Sequence, residues 1–176
     1  MKTYQLGTDG DRIVTVKKTA GEHIVTIRLK GDNKKSIELP PKRWAAFRQT
    51  IDDVNASVKA LREGDENVKL RQHIGGAHYV SVTSGYHCVD FRKWFQPYDF
   101  KYDEIRPTKK GVALRLGEWA DLCTLVDTIN TAYPSLASAV PCYYDEDHMN
   151  QMGWLNCNEC HPFLNNLSQP PTDKAS

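Results

Sequence analysis

The feature that most constrains the fold of this chain is an internal repeat. The segment from Trp44 to Asn55 aligns without a gap with the segment from Trp119 to Asn130. The preceding segments match as well, since Lys34-Lys-Ser-Ile-Glu-Leu39 corresponds to Lys109-Lys-Gly-Val-Ala-Leu114. Each copy is then one supersecondary unit, and two copies together bury faces that one copy would leave exposed. Because two-fold interfaces are self-complementary, we predict a pseudo-symmetric dimer within one chain.

The first copy combines β-type runs with an amphipathic helix. The runs 13–16 and 23–27 flank a polar turn that contains Gly21, and the alternation in 34–39 suits a further strand. Pro40 and Pro41 predict the start of a helix that ends before Gly64. Its apolar residues recur at intervals of three and four: Trp44, Phe47, Ile51, Val54, Val58 and Leu61.

The second copy repeats this order. Runs at 79–82 and 88–91 flank a turn with Gly85, and an insertion from Phe95 to Thr108 precedes the next strand. The second helix carries the stripe Trp119, Leu122, Val126, Ile129 and Tyr133, so both repeated tryptophans are predicted to lie in the core. We therefore divide the chain into a first repeat (1–63), a linker (64–77), a second repeat (78–134), a Cys/His segment (135–164) and a disordered tail (165–176).

Composition and charge narrow the class of protein. The chain has 40% hydrophobic and 26% charged residues, as folded proteins do, and a net charge of +1. A nucleic-acid interface would therefore need a local basic patch. The sequence begins without a stretch that resembles a signal peptide and has no run of about 20 apolar residues, so we expect an intracellular protein and no membrane partner. In a reducing compartment the five cysteines suit free thiols or metal ligands.

Motifs in both copies resemble, in order and spacing, the single-stranded-DNA-binding core of the transcriptional positive cofactor four family. In the first copy they are Val14-Thr-Val-Lys-Lys, Gly21, Val25-Thr-Ile-Arg28, Lys34-Lys-Ser-Ile-Glu-Leu39 and Trp44. In the second they are Tyr79-Val-Ser-Val82, Val89-Asp-Phe-Arg-Lys-Trp94 and Lys109-Lys-Gly-Val-Ala-Leu-Arg-Leu-Gly-Glu-Trp119. Together the matches cover roughly residues 4–134.

The resemblance implies an α+β fold in which each copy is a curved, four-stranded antiparallel sheet followed by a helix. In the family two such units dimerise and present paired grooves for unpaired strands. This chain looks like a tandem version that supplies both halves, so we expect a monomer with internal two-fold pseudo-symmetry and a small C-terminal Cys/His segment.

The resemblance also implies the residues that contact nucleic acid. In the first copy they are basic: Arg12, Lys17, Arg28, Lys34 and Lys35. The family's loop aromatic and lysines are replaced here by Thr19, Ala20 and Glu22. In the second copy aromatic side chains join the basic ones, at His78, Tyr86, Arg92, Phe95, Lys109 and Lys110, with Trp94 beside them. Such a mixture suits single strands, which offer phosphates and exposed base faces.

A Cys/His cluster follows the second repeat. The two-residue spacing of Cys157 and Cys160 lets two thiolates hold one tetrahedral zinc, and Cys142 with His148 completes four ligands, with His161 competing as the nitrogen donor. We expect one structural zinc ion. Two alternatives are reduced thiols in a docked tail, and a c-type haem attached at 157–161 with Met149 or Met152 as axial ligand.

Two hypotheses about function follow. The first is a coactivator-like protein that binds single-stranded DNA, or RNA, with the transcription machinery as a further partner, located in the nucleus if the host is eukaryotic. The second is a zinc-stabilised protein-interaction module that keeps the fold without binding DNA. We expect no enzyme, since the sequence has no phosphate loop, nucleophile elbow or paired carboxylates, and four protein ligands would close a zinc site to hydrolysis.

Overall fold

The structure, a computed structural model, describes residues 1–97, 104–145, 148 and 157–163. Two four-stranded antiparallel sheets are present, each followed by a helix, and a C-terminal Cys/His region comes after them. This confirms the predicted α+β class and the repeated order of elements. The predicted tail at 165–176 lies outside the described residues.

The first sheet contains strands β1 (Lys2–Leu6), β2 (Arg12–Thr19), β3 (Glu22–Leu29) and β4 (Asp32–Leu39), paired in that order. Helix α1 (Pro41–Arg62) follows directly, with proline in its first turn. A proline is tolerated there because the first amides of a helix have no intrahelical acceptor. We call residues 2–62 the first unit.

The second sheet contains β5 (Lys69–Gly75), β6 (His78–Thr83), β7 (Cys88–Phe95) and β8 (Arg106–Arg115), again paired in order. Helix α2 (Leu116–Ala132) completes the second unit, residues 69–132. A one-turn helix α3 (Pro134–Ala137) and a 3-10 turn (Cys142–Tyr144) lie beyond it. No helix in the described part of the chain combines the length and apolar character that crossing a membrane requires.

Half of the predicted linker at 64–77 forms strand β5, which belongs to the second sheet. This strand lies at the edge of its sheet, and one of its inward positions is polar: Gln72 lies between Leu70 and Ile74. The Gln72 amide donates to Asp53 Oδ2 of α1 at 2.8 Å, so the inward position is satisfied by a helix of the other unit. Because apolar and polar residues do not alternate cleanly in β5, the sequence pattern does not identify it as a strand.

One hydrophobic core spans both units. Helix α1 packs against β5 and β6 as well as against its own sheet, and α2 contacts β1 as well as β7 and β8. The Phe47 ring of α1 lies 5.4 Å from that of Phe91 and 6.0 Å from that of Trp119, both in the second unit. Trp44 and Trp119 are 0% and 1% exposed, which confirms that both are core residues.

The repeated residues meet each other across this core. The indole nitrogen of Trp44 donates to Asn130 Oδ1 at 3.0 Å, and that of Trp119 donates to Asn55 Oδ1 at 2.8 Å. Trp44 corresponds to Trp119 in the repeat, and Asn55 to Asn130. The two hydrogen bonds are therefore reciprocal, and each satisfies an indole N–H that burial would otherwise leave without an acceptor.

Candidate nucleic-acid interface and metal cluster

An open groove lies where β4 of the first unit approaches β8 of the second. Its volume is about 320 Å³, and both units line it. The first unit contributes Arg12, Leu29 and Lys35, and the second contributes Arg92, Lys109 and residues 111–113. Four cationic side chains predicted from the sequence thus meet on one concave surface, which we call the basic groove.

Two of these four cations are held by protein groups. Arg12 Nε donates to the carbonyl of Ala113 at 3.3 Å and lies 3.8 Å from the buried carboxylate of Glu118, so it bridges the units. Arg92 makes a bidentate ion pair with Asp90, with both N–O distances 3.0 Å, and donates to the carbonyl of Thr108. The lysines at 35 and 109 are exposed, so they offer the freer positive charges of the groove.

The equivalent arginines of the two sheets differ in their surroundings. Arg28 faces Ser36 across β3 and β4, and Arg92 faces Gly111 across β7 and β8. The guanidinium of Arg28 has the neutral Asn33 as a partner at 3.5 Å, whereas that of Arg92 is paired with a carboxylate. The difference comes from the residue two positions earlier, which is threonine in the first unit and aspartate in the second.

The remaining predicted cations follow the sheet surfaces. Lys17 is half exposed at 45% and lies 3.9 Å from Glu38 of a nearby strand. Lys34 and Lys110 are exposed within β4 and β8. These strands begin before the paired lysines, which were expected at the strand starts.

The predicted aromatic contacts do not form one platform. Tyr86 is 67% exposed in the turn before β7, and Phe95 is 37% exposed at the other end of that strand. Eight residues of β-strand span roughly 25 Å, so these rings lie at opposite ends of the sheet. Trp94 is half-buried, with its ring 5.9 Å from Tyr79.

A cation–π cluster beside Trp94 was not predicted. The guanidinium carbon of Arg71 lies 4.7 Å from the Trp94 ring centroid and 5.7 Å from that of Tyr79, and the His73 ring lies 5.0 Å from Tyr79. Arg71 and His73 lie on β5, which the sequence analysis assigned to a linker, so their position on a sheet was not predicted. The alternation of the exposed Lys69 and Arg71 with Leu70 and Gln72 is the signal that identifies an outward strand face.

His78, carried over as a contact position, is buried at 7% exposed. Its Nδ1 lies 3.2 Å from the carbonyl of Gly75, which can only accept, so Nδ1 donates. Burial, with the charge of Arg43 as a second cause, lowers the pKa of His78 to about 4. A neutral, interior ring does not suit a phosphate contact.

The cysteine and histidine ligands predicted for a metal converge. The ligand atoms of Cys142, His148, Cys157 and Cys160 all lie within 4.8 Å of one another. The Cys142 and Cys157 sulfurs are 3.7 Å apart, and His148 Nδ1 lies 3.9 Å from the first of them and 3.5 Å from the Cys160 sulfur. We call this set the Cys3His cluster. His148 rather than His161 belongs to it.

These distances fit a tetrahedral metal. With Zn–S bonds of about 2.3 Å and Zn–N bonds of about 2.0 Å, two sulfurs lie about 3.8 Å apart and a sulfur and a nitrogen about 3.6 Å apart. Burial and the neighbouring Cys157 thiol raise the pKa of Cys142 to about 11, and burial with the thiols of Cys142 and Cys157 raises the pKa of Cys160. Without a metal these two thiols hold their protons at neutral pH, and a metal must displace them.

The segment that carries Cys142 is fixed on α1. Arg48 donates to the carbonyls of Leu136, Ala137 and Ala139 at 3.1 to 3.3 Å, and Lys42 pairs with Asp145. The Cys3His cluster thus has a firm attachment to the first unit, although its residues follow the second.

Comparisons with models of protein families, with curated proteins and with solved structures found no match. The geometry and chemistry of the described residues therefore carry the functional argument.

Proposed function

We propose that this chain binds single-stranded DNA, with the basic groove as the centre of the interface. The observation that carries the proposal is the meeting of four cationic side chains from both units on one concave surface. Phosphates supply most of the affinity of non-specific nucleic-acid binding, and exposed lysines are suitable partners for them. The net charge of +1 does not oppose this, because the positive charge is local.

Unpaired strands suit this surface better than duplex. Tyr86 and Phe95 provide exposed aromatic side chains in the second unit. Base stacking contributes about 1–3 kcal/mol per base and needs bases freed from pairing. In a duplex the base faces are stacked on one another and cannot contact the protein, so we expect a preference for single strands.

We also propose that the two units form an intramolecular pseudo-dimer of the positive cofactor four type. The repeated sheet order, the packing of each helix against the other unit and the reciprocal Trp–Asn bonds support it. By that resemblance the protein acts as a transcriptional coactivator, in the nucleus if the host is eukaryotic. RNA is the second possible ligand.

The binding test is a salt series. Anisotropy of a labelled single-stranded oligonucleotide is measured for the wild type, for Lys35→Gln with Lys109→Gln, and for Lys59→Gln, whose lysine is 78% exposed on α1 and does not line the groove. We expect the logarithm of affinity to fall linearly with that of salt, the slope shrinking by about 0.7 per lost phosphate contact. An equal slope in all three proteins would show that the lysines of the basic groove do not contact phosphates.

For the Cys3His cluster we propose one structural zinc ion. Three thiolates and one imidazole are a ligand set that zinc prefers, and four protein ligands leave no open coordination position. The residues that would hold it are Cys142, His148, Cys157 and Cys160. Elemental analysis of the purified protein should give one zinc per chain, and the Cys157→Ser variant should give much less.

The second candidate is a zinc-stabilised protein-interaction module. The ion pairs that engage Arg12 and Arg92 favour it, because they leave less free charge for phosphate. The salt series separates the two candidates, since a module of this kind would show no salt-sensitive binding of single strands.

A further inference from the structure

We propose that the metal of the Cys3His cluster acts as a latch that joins helix α1 of the first unit to the β5–β6 turn of the second, through Glu159. The inference rests on the proposed zinc site and adds what that metal does for the fold. Three sets of contacts carry it: the position of Glu159 in the metal-binding turn, its ion pair with α1, and the shape of the β5–β6 turn beneath it.

Glu159 lies between two ligands of the same cluster, Cys157 and Cys160. The turn is closed by a hydrogen bond from the His161 amide to the Cys157 carbonyl at 2.8 Å. A metal bound by both thiolates would fix each end of this short turn, and with it the direction of the Glu159 side chain. The conformation of this one residue is therefore tied to the occupancy of the cluster.

The Glu159 carboxylate makes a bidentate ion pair with Arg43 of α1. Nε of Arg43 lies 3.0 Å from Oε1, and Nη2 lies 3.1 Å from Oε2. Nη1 donates to the carbonyl of Glu38 at the end of β4. The side chains of Arg43 and Glu159 are only 15% and 30% exposed, so the pair is partly shielded from water and stronger than a surface pair.

The β5–β6 turn is shaped to receive this ion pair. The amide of Gly76 donates to the Glu159 carbonyl at 2.9 Å. A Cβ on Gly75 would lie 2.3 Å from Glu159 Oε1, and one on Gly76 would lie 2.5 Å from Arg43 Nη2. Both glycines also have positive φ, at +118° and +57°, so a side chain here would be strained and would displace the Glu159 or Arg43 side chain.

A bound metal would link the contacts of Glu159 to the segment that carries Cys142, which is fixed on α1. Cys142 lies between the carbonyls that Arg48 holds and Asp145, which pairs with Lys42, and these bonds to α1 do not involve a metal ligand. Cys157 and Cys160 belong to the turn that contacts Gly76. One metal ion bound to all three thiolates would thus connect a segment fixed on α1 to a turn fixed on the second unit.

Because the coupling is an equilibrium effect, it must be reciprocal. If zinc favours the closed β5–β6 turn by a given factor, breaking the contact between Glu159 and Arg43 must weaken zinc binding through the same linkage. Coupling between sites is typically 5-fold to 150-fold. Loss of the latch is therefore expected to change both zinc affinity and local opening by about tenfold or more.

The experiment uses the full chain in three forms: wild type, Glu159→Gln, and the control Glu63→Gln. Glu63 is an exposed carboxylate with a 4.0 Å contact to Lys59, so its loss removes the same charge without touching the latch. Amide hydrogen exchange by mass spectrometry is followed over residues 70–80, with zinc bound and after chelation. Zinc affinity is measured in parallel by competition with a chromogenic chelator.

In the wild type, we expect chelation to speed exchange over 70–80 by about tenfold or more, with a smaller change in β2 and β3. Glu159→Gln should bind one zinc at lower affinity and show fast exchange in this region even when zinc is bound, while Glu63→Gln should behave as wild type. Gly76→Ala offers a second disruption from the opposite side and should also lower zinc affinity.

Two results would overturn the latch in different ways. If wild type binds one zinc but exchange over 70–80 does not respond to chelation, the metal site stands and the latch fails. If wild type binds no zinc, the proposed metal site fails and the latch fails with it.

Discussion

At the scale of single residues, Asp90 decides how much positive charge the second sheet offers. It holds Arg92 in a bidentate pair, whereas the equivalent position of the first sheet is Thr26 and leaves Arg28 with a neutral partner. A phosphate that approaches Arg92 must compete with this carboxylate. The two sheets are thus unequal in charge although they repeat in sequence.

We predict that Asp90→Asn strengthens binding of a single-stranded oligonucleotide severalfold, since a partly exposed ion pair contributes about 1 kcal/mol. Asp52→Asn, the same charge change at an exposed position on α1, should leave the affinity unchanged. Anisotropy titration at one salt concentration measures both. Equal affinities of Asp90→Asn and wild type would mean that Arg92 does not contact the strand.

His78 gives stability a dependence on pH. Burial lowers the pKa of His78, and that of His73, to about 4 in the folded protein. In the unfolded chain the histidine pKa values are near 6.5, so between about pH 4 and pH 6.5 the unfolded chain binds more protons than the folded protein. The contribution to stability is therefore complete above about pH 6.5 and is lost as the pH falls toward 4. Each histidine contributes at most roughly 3 kcal/mol.

Urea unfolding at pH 7, 6 and 5 should therefore show a decreasing free energy of unfolding. In His78→Gln the decrease should be smaller, because one of the two titrating rings is gone. Loss of the metal in acid would act on both proteins, so the difference between them is the informative quantity. Parallel pH profiles would show that His78 does not titrate on unfolding.

At the scale of elements, the sequence is enough to predict both helices and six strands. Helix stripes at three- and four-residue spacing and strand pairs around glycine turns depend on local patterns, and these patterns are clean in both repeats. Strands β1 and β5 were missed, and β5 lacks clean alternation because its inward Gln72 is satisfied by Asp53 of α1. The ion pair of Arg92 with Asp90 was missed for a different reason, since side-chain geometry is not a property of spacing.

The two helices provide the next prediction. Asn130→Ala removes the acceptor of the buried Trp44 indole, and Asn55→Ala removes that of Trp119. An unsatisfied buried donor costs about 1–3 kcal/mol, so each variant should lower the free energy of unfolding by that amount. Asn67→Ala, at an exposed position, serves as the control in urea unfolding. A loss in only one of the two variants would contradict the reciprocal arrangement.

At the scale of the whole molecule, the shared core predicts that the two units behave as one cooperative structure. Each helix packs against the sheet of the other unit, and Phe47 contacts aromatic rings across the boundary. We expect light scattering to give the mass of one chain and unfolding to be a single transition. A dimeric mass would mean that the units pair between chains.

The region of the Cys3His cluster provides a further contact between the two units, although it lies outside the repeats. Spacing predicted its three cysteines, but it left His148 and His161 as competing nitrogen ligands, and the structure brings His148 to the thiols. The attachment of the cluster through Glu159 and Arg43 could not be predicted from the sequence, because these two residues lie 116 positions apart.

The central claim is that the basic groove binds unpaired strands in preference to duplex. The most direct measurement is a competition in which unlabelled single strand or duplex of the same sequence displaces a labelled single strand from zinc-loaded wild type. We expect the single strand to compete at a much lower concentration than the duplex. Equal competition by the two, or no binding of the labelled strand at low salt, would contradict it.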